Sequence, residues 1–275
     1  MRPLGWAWAQ SCRAVGGLPT LELFDEAVAS GEDAIPLMGR ILSRRSWRMG
    51  QDPDQAAISA AALRVLGAIG SPRAVPIVLA VLRDPIDVGL FGEEAAHALG
   101  RIGESALPSL ERVLADRDEN TWVRGAAARA LTIAALRDRR LRPKVLPALE
   151  RVLRDREQTD RLANALVVHA IRMLAADDLL GVIDEAYRAG RVDDDFISWD
   201  DLLLDLVARR HRPDPEEKAA ARRDVREDYV TLDQFLAGID PDLAASITGE
   251  LGRLRREGAE EPDDEDEGAE AGEGD

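Results

Sequence analysis

Four basic or titratable side chains recur at one position of a repeated helical phrase. They are Arg64, His97, Arg129 and His169, each two residues before an apolar anchor residue. On a helix this position faces away from the apolar stripe, so we predict that all four are exposed. Helices stacked about 8–10 Å apart would bring them into one row that suits an acidic partner. The alternative is that they are ordinary exposed polar positions in a chain whose cations are almost all arginine.

An acidic partner for this row exists in the chain itself. Residues 257–275 hold 11 acidic side chains and no Lys or Arg. From this charge complementarity we hypothesise that the C-terminal segment docks on the row. Trp122 begins a predicted helix, where it either packs between turns or contributes to a partner-binding surface.

Metal binding is a second chemistry that the histidines could support. His97, His169 and His211 are followed by Ala, Ala and Arg, so none is paired with a carboxylate at ligand spacing. Two or three isolated histidines do not make a typical site. The acidic run 193–195 lacks the glycine and the distal glutamate of a calcium loop, and we predict a solvated loop and a helix cap there. We therefore predict no metal and no cofactor.

Catalytic arrangements are not recognisable in the sequence. Cys12 has no nearby histidine, and no Ser, His and Asp set stands out. The repeated Leu-Gly-x-Ile-Gly phrases end helices and lack the Lys-Ser/Thr step of a phosphate loop. We therefore predict that the chain has no catalytic residues and is not an enzyme.

The elements that must position these side chains are two alternating helical phrases. The anchors of the first are Leu66, Leu99, Leu131 and Ile171, which are 33, 32 and 40 residues apart. Positions −4, −3, 0 and +3 around each anchor are apolar and form one stripe. The second phrase begins at Pro76, Pro108 and Pro147, with an early copy at Pro36. Alternating helices at this period predict an all-α solenoid of stacked antiparallel helix pairs.

Composition limits the function classes. The net charge of −16 falls to −5 when residues 257–275 are set aside, so nothing in it indicates the basic surface of a nucleic-acid-binding protein. A single cysteine excludes an intrachain disulfide. No stretch approaches the roughly 18 apolar residues of a membrane span, and the apolar run at the start is short for a signal peptide. We predict a cytoplasmic protein.

The phrases resemble HEAT repeats, in particular the HEAT-like repeats of the phycobilisome-lyase type. The resemblance covers about residues 31–210 and is carried by 66–70, 99–103, 74–76 and the pair Asp118 and Trp122-Val123-Arg124. Residues 121–131 and 192–202 are also similar to an uncharacterised bacterial HEAT-like family. The resemblance implies a curved superhelix that serves as a protein-binding scaffold, with the first-phrase helices on its concave side. Because Arg124 is replaced in the other copies, by Ser59, Gly92 and Asn164, we do not expect a continuous Asp–Arg ladder.

The chain divides into four predicted segments. These are a mobile leader at 1–18, the solenoid at 19–210, a helical extension at 211–256 and a disordered acidic tail at 257–275. Within the extension we predict helices at 215–227, 232–237 and 241–256. The function that we predict is a non-catalytic scaffold that binds another protein, through Arg64, His97, Arg129, His169 and Trp122. Two alternatives are a bilin lyase-like or chaperone-like enzyme and a nucleic-acid-binding protein. The few aromatic residues, 4% of the chain, argue against a bilin groove.

Overall fold

The computed structural model describes residues 12, 19–49, 52–84, 90–209, 213, 215–229, 231, 234, 237 and 241–260. Within them the chain forms helices and no β-strand. In chain order these are α1 (Leu21–Ala29), α2 (Ile35–Ser43), α3 (Arg45–Arg48), α4 (Pro53–Ile69), α5 (Val75–Leu82), α6 (Leu90–Ile102), α7 (Leu107–Ala115), α8 (Thr121–Arg137), α9 (Arg142–Arg154), α10 (Arg161–Met173), α11 (Leu180–Arg188), α12 (Trp199–Arg209), α13 (Pro215–Arg222) and α14 (Pro241–Glu260). None of these is long and apolar enough to cross a membrane.

Five helix pairs stack in sequence order: α1 with α2, α4 with α5, α6 with α7, α8 with α9, and α10 with α11. A short 3₁₀ turn joins the two helices of each pair. Gly70 and Gly103 have φ of 68° and 75° where α4 and α6 end, a left-handed conformation that glycine adopts without strain. The prediction of an all-α solenoid is confirmed.

One continuous core runs through the stack. All four anchors, Leu66, Leu99, Leu131 and Ile171, are completely buried. The rest of the predicted stripe is buried too, except for Ile69, which is partly exposed. The second phrase was aligned less well, because α9 begins at Arg142, and Pro147 lies inside it. Pro143, near the start of α9, is the counterpart of Pro76 and Pro108, so the predicted alignment was shifted by one turn.

The first helices of neighbouring pairs pack unusually close together. A Cβ at Gly67 would lie 2.9 Å from Cα of Ala98, and one at Gly100 would lie 2.5 Å from Cγ2 of Ile133. The second helices have far less contact with one another. In a curved stack the more tightly packed row lies on the inner side, so this contact pattern supports the predicted concave placement of the first helices.

Arginine side chains satisfy the carbonyls at the ends of the second helices. Arg48, Arg124 and Arg191 donate to the carbonyl oxygens of Leu42, Leu114 and Leu153, the equivalent residues of α2, α7 and α9. The last carbonyls of a helix have no partner within it, and a nearby guanidinium is a favourable donor. Arg124 is almost fully buried here, and burial lowers its pKa.

Ion pairs link the turns that follow the second helices. Arg45 contacts Asp84 at 2.7 Å, Arg83 contacts Glu119 at 2.6 Å, and Arg117 contacts Asp155 at 2.7 Å. We expected no continuous Asp–Arg ladder at the position of Arg124, and these links do not use that position. They form a different ladder, made by residues of the turns, in which Glu119 takes the place of one aspartate.

The C-terminal part folds back over the first helices. In α13, Arg222 Nε donates to the carbonyl of Leu136 at 2.9 Å, and Arg137 donates to the carbonyl of Ala221 at 2.6 Å. Beyond α13, Arg226 contacts Asp25 of α1 at 2.6 Å. Nearby, the ring of Tyr229 stacks on Phe24 with centroids 4.7 Å apart. Residues 215–229 therefore run from α8 to α1.

This segment differs from the single helix predicted at 215–227. The α-helix ends at Arg222, and the side chain of Asp224 accepts the N–H of Arg226 to start a 3₁₀ turn, 225–228. The helix predicted at 232–237 lies mostly outside the described residues. The break separates the part that contacts α8 from the part that contacts α1.

The two predicted ends differ in detail. Cys12, the one described residue of the predicted leader, is buried, and burial raises the pKa of its thiol, which makes it unreactive. Helix α14 continues to Glu260, four residues beyond the predicted boundary at 256. Residues 1–11, 13–18 and 261–275 lie outside the description, as does His211.

The close packing predicts the effect of adding one methyl group. Gly67→Ala should lower the free energy of unfolding by roughly 1–3 kcal/mol, because the new Cβ meets backbone and the helices must separate. The control is Gly181→Ala in α11, where a Cβ meets nothing within 4 Å; it should raise stability by about 0.5–1 kcal/mol. Chemical denaturation measures both. Equal effects of the two substitutions would contradict the close approach.

The ion-pair ladder predicts a graded response to neutralisation. Asp84→Asn should lower the free energy of unfolding by about 3 kcal/mol, because it leaves the buried guanidinium of Arg48 without its carboxylate. The matched control is Glu157→Gln, whose carboxylate is 79% exposed and which should change stability by less than about 1 kcal/mol. A loss at Glu157 as large as that at Asp84 would contradict this account.

Candidate functional site

The predicted row exists, but its members are not the free cations that we expected. Arg64, His97, Arg129 and His169 lie at the same position of α4, α6, α8 and α10, and each is half-buried where we predicted exposure. Neighbouring first helices approach so closely that they cover both flanks of every helix. The side chain two residues before each anchor therefore reaches solvent only through a narrow opening between helices.

Acidic residues of α6 neutralise the two arginines of the row. Arg64 forms a salt bridge with Glu94, and Arg129 Nε lies 2.7 Å from Glu93. The hydrogen bonds to Glu94 raise the pKa of Arg64. The prediction that the row offers positive charge to an acidic partner, or to residues 257–275, did not anticipate these pairs. The feature of the sequence that could have predicted these salt bridges is the Glu93-Glu94 dipeptide, one turn before His97.

His97 contributes little positive charge to the row. Burial lowers the pKa of His97, and the neighbouring Arg101 and Arg129 lower it further. Its imidazole is therefore neutral at pH 7. His169 Nδ1 lies 3.3 Å from a nitrogen of Arg172, which in turn binds Asp205 at 3.0 Å. In the described residues, no three His, Cys, Asp or Glu side chains are grouped as a metal would require.

A recess of about 240 Å³ lies between α8 and α10, at the end of the row that holds Arg129 and His169. Two large aromatic residues on its rim are unusually exposed, Trp122 at 47% and Phe196 at 44%. The rest of the lining is apolar with a polar edge, and comprises Gly92, Glu93, Gly125, Ala126, Arg129, Leu166, His169, Ala170 and Met173. We call this recess the aromatic groove.

The N-terminal ends of α8 and α10 hold the groove in shape. Asn120 caps α8 by accepting the N–H of Trp122 at 2.9 Å, which fixes the tryptophan at the first turn. The hydroxyl of Thr121 donates to Asp160, the N-cap residue of α10, at 2.5 Å. A Cβ at Gly125 would lie 2.5 Å from Leu166, so this glycine lets the two helices meet beneath the groove.

Phe196 reaches the groove from the loop before α12. The backbone N–H of Asp195 donates to the carboxylate of Asp193, and the N–H of Trp199 donates to that of Asp194. The acidic run thus shapes a loop and caps a helix start, as predicted. Tyr187 donates to the carbonyl of Ile197 at 2.6 Å, next to the phenylalanine. Burial, with a contribution from Asp194, raises the pKa of that tyrosine to about 12.

The groove gathers three of the five predicted site residues: Trp122, Arg129 and His169. Arg64 lies at the other end of the row, where the C-terminal segment brings Tyr229 close enough to help raise its pKa. His97 lies between these two places. Sequence reasoning missed Phe196, Leu166 and Met173. Phe196 lies in a loop without periodicity, so only its position beside the acidic run could have drawn attention to it.

Comparison with known families agrees with this architecture. Residues 47–132 and 92–172 match the family model of HEAT repeats. The central part of the chain, residues 47–172, is therefore similar to HEAT repeats. These residues include α4 to α10 and therefore both helices that form the groove. No curated protein and no solved structure gave a significant match.

The environment of His97 predicts how stability depends on pH. A histidine whose pKa falls on folding binds its proton more readily in the unfolded chain. Stability is therefore complete above the unfolded pKa of about 6.5 and falls as the pH drops towards the lower folded value. An NMR titration of the imidazole should give a midpoint below 6.5, with His97→Gln assigning the resonance. The same substitution should flatten the stability profile, and a midpoint above 6.5 would contradict the burial argument.

Proposed function

We propose that this protein is a non-catalytic scaffold that binds another protein through the aromatic groove. The observation that carries the proposal is the pair of exposed aromatic residues, Trp122 and Phe196, on the rim of an apolar recess. Exposed aromatic residues beside a pocket are typical of the few residues that dominate a protein interface. Stacked helical repeats commonly provide such extended binding surfaces.

The size of the groove favours a side chain as the anchor. Small-molecule sites usually measure about 300–1,000 Å³, and the groove measures about 240 Å³. A leucine, methionine or phenylalanine of a partner would fit between Leu166 and Met173. This supports protein binding over the bilin lyase-like alternative, whose ligand is larger than a single side chain.

The charges at the edge of the groove support a protein partner over a nucleic acid. Arg129 is paired with Glu93, and Arg172 beside His169 is paired with Asp205. Nucleic-acid binding requires cations that are free to neutralise phosphates. The groove offers both signs of charge around an apolar centre, which suits a segment with one apolar anchor and polar flanks. The phycobilisome-lyase type and the cytoplasmic location stay predictions.

Two substitutions test the proposal once a partner is in hand. A photo-reactive phenylalanine analogue at position 196 should capture the partner in cells, and the same group at exposed Leu204 is the control site. The purified partner should then bind Trp122→Ala and Phe196→Ala at least about tenfold more weakly, a change of about 1.4 kcal/mol or more. Circular dichroism should show unchanged melting temperatures, because both side chains are exposed.

The control separates the groove from the rest of the surface. Leu204 is 71% exposed on α12 and is not among the residues that line the groove. Leu204→Ala should leave the affinity within about twofold of the unmodified chain, since a peripheral contact contributes little. A partner that tolerates both aromatic substitutions but loses affinity at Leu204 would place the interface elsewhere.

A further inference from the structure

A second recess lies where α13 meets the end of α8, and the polar side chains among the described residues that line it are all cationic. It has a volume of about 350 Å³, and four of its lining residues are Arg139, Arg142, Lys218 and Arg222. The others are Ala135, Leu136, Leu174 and Pro213. No acidic residue is among them. We call this recess the basic pocket.

No residue that the structure describes forms an ion pair with the cations of the basic pocket, unlike those of the row. Arg142 donates to the carbonyls of Leu174 and Ala175 at 2.5 and 3.4 Å, and Arg222 donates to the carbonyl of Leu136 at 2.9 Å. These bonds fix both guanidinium groups, but a neutral carbonyl leaves their charge uncompensated. Arg139 and Lys218 have no ion pair with any residue that the structure describes.

The arrangement of donors favours a series of carboxylates over a single phosphate. Phosphate sites typically use free backbone N–H groups at a helix start. Here the side chain of Asp138 already accepts the N–H of Arg140 at the start of the turn before α9. The four cations come from separate elements and are spread around an open recess. An extended acidic segment can present one carboxylate to each.

We propose that the basic pocket binds the chain's own acidic C-terminal segment, residues 261–275. That segment holds nine acidic residues and no Lys or Arg, with five consecutive acids at 263–267. The described chain ends at Glu260, and fifteen extended residues reach roughly 50 Å. This reach is comparable with the length of five stacked helix layers at about 10 Å each.

Attachment to the same chain makes a weak interaction effective. A flexible tether gives an effective concentration of about 1 mM. If the segment binds as a separate peptide with a Kd of about 100 μM, the ratio of its bound to its free state in the intact chain is therefore about ten. The interaction is electrostatic and between partly exposed groups, so salt weakens it.

Carbodiimide cross-linking tests the contact directly, because the chain has only two lysines, Lys144 and Lys218. A zero-length cross-link should join Lys218 to a carboxylate of residues 261–275. The full-length chain is cross-linked first, and mass spectrometry of its proteolytic peptides then identifies the linked pair. Lys144 is the internal control, since its ammonium group contacts Glu104 and should cross-link there. Detection of the Lys144 product without any product between Lys218 and the segment would overturn the proposal.

Peptide binding in trans tests occupancy and specificity. A fluorescent peptide of residues 261–275 should bind the chain truncated after Glu260 at least tenfold more tightly than the full-length chain, whose pocket is occupied. Arg139→Glu with Lys218→Glu in the truncated chain should weaken binding at least tenfold. The control, Arg40→Glu with Arg151→Glu, makes the same charge change at two exposed arginines outside the pocket.

Each result decides the proposal. Equal losses in the pocket and control variants would show a non-specific charge effect and overturn it. Equal binding by the truncated and full-length chains would show that the segment does not occupy the pocket. If Arg139→Glu with Lys218→Glu lowers the melting temperature, the single substitution Lys218→Gln is used instead. It should weaken peptide binding at least threefold. A 20-base-pair DNA duplex that binds the full-length chain more tightly than the peptide binds the truncated chain, and that loses this binding when Arg139 and Lys218 are replaced by Glu, would assign the pocket to nucleic acid and overturn the proposal.

Discussion

The close contact between neighbouring first helices sets most of the other features of this protein. It depends on positions where a side chain would collide with the next helix, such as Gly67 against Ala98 and Gly100 against Ile133. Helices at this distance bury all of their surface except a narrow strip. The polar residues of that strip are then half-desolvated, and half-desolvated charges need partners. The salt bridges of Arg64 and Arg129 to α6 follow from the packing.

The arginines of this chain act mainly as hydrogen-bond donors and ladder residues within the stack. Three of them satisfy equivalent helix-end carbonyls, although they are 6, 10 and 38 residues away from those carbonyls. An arginine can reach a carbonyl from many sequence positions, because its side chain is long and its guanidinium carries five donors. The same arginine-to-carbonyl contact therefore recurs in several repeats, although the arginine comes from a different sequence position each time. Arg124 is one instance, and its replacement by Asn164 in a later copy is compensated by Arg191.

The periodic part of the fold could be predicted from the sequence, and the surfaces could not. Anchors such as Leu99 and helix ends such as Gly70 follow from local rules of period and backbone conformation. The groove depends on Phe196, which lies in an irregular loop. The neutralisation of Arg129 depends on Glu93 of another helix, α6. These contacts join residues distant in sequence, and no local pattern encodes them. The return of residues 215–229 across the first helices is of the same kind.

That returning segment decides which surfaces the repeats can offer. Helix α13 contributes Lys218 and Arg222, two of the four cations of the basic pocket, and Tyr229 after the following turn lies close to Arg64 at the other end of the row. The stacked repeats alone would therefore lack these two cations and the contact of Tyr229 with Arg64. The aromatic groove is made by the solenoid and the loop at Phe196, since none of the described residues that line it belongs to 215–229. The family match therefore identifies the stacked helix pairs, whereas residues 215–229, outside the match, determine which charges remain available to a ligand.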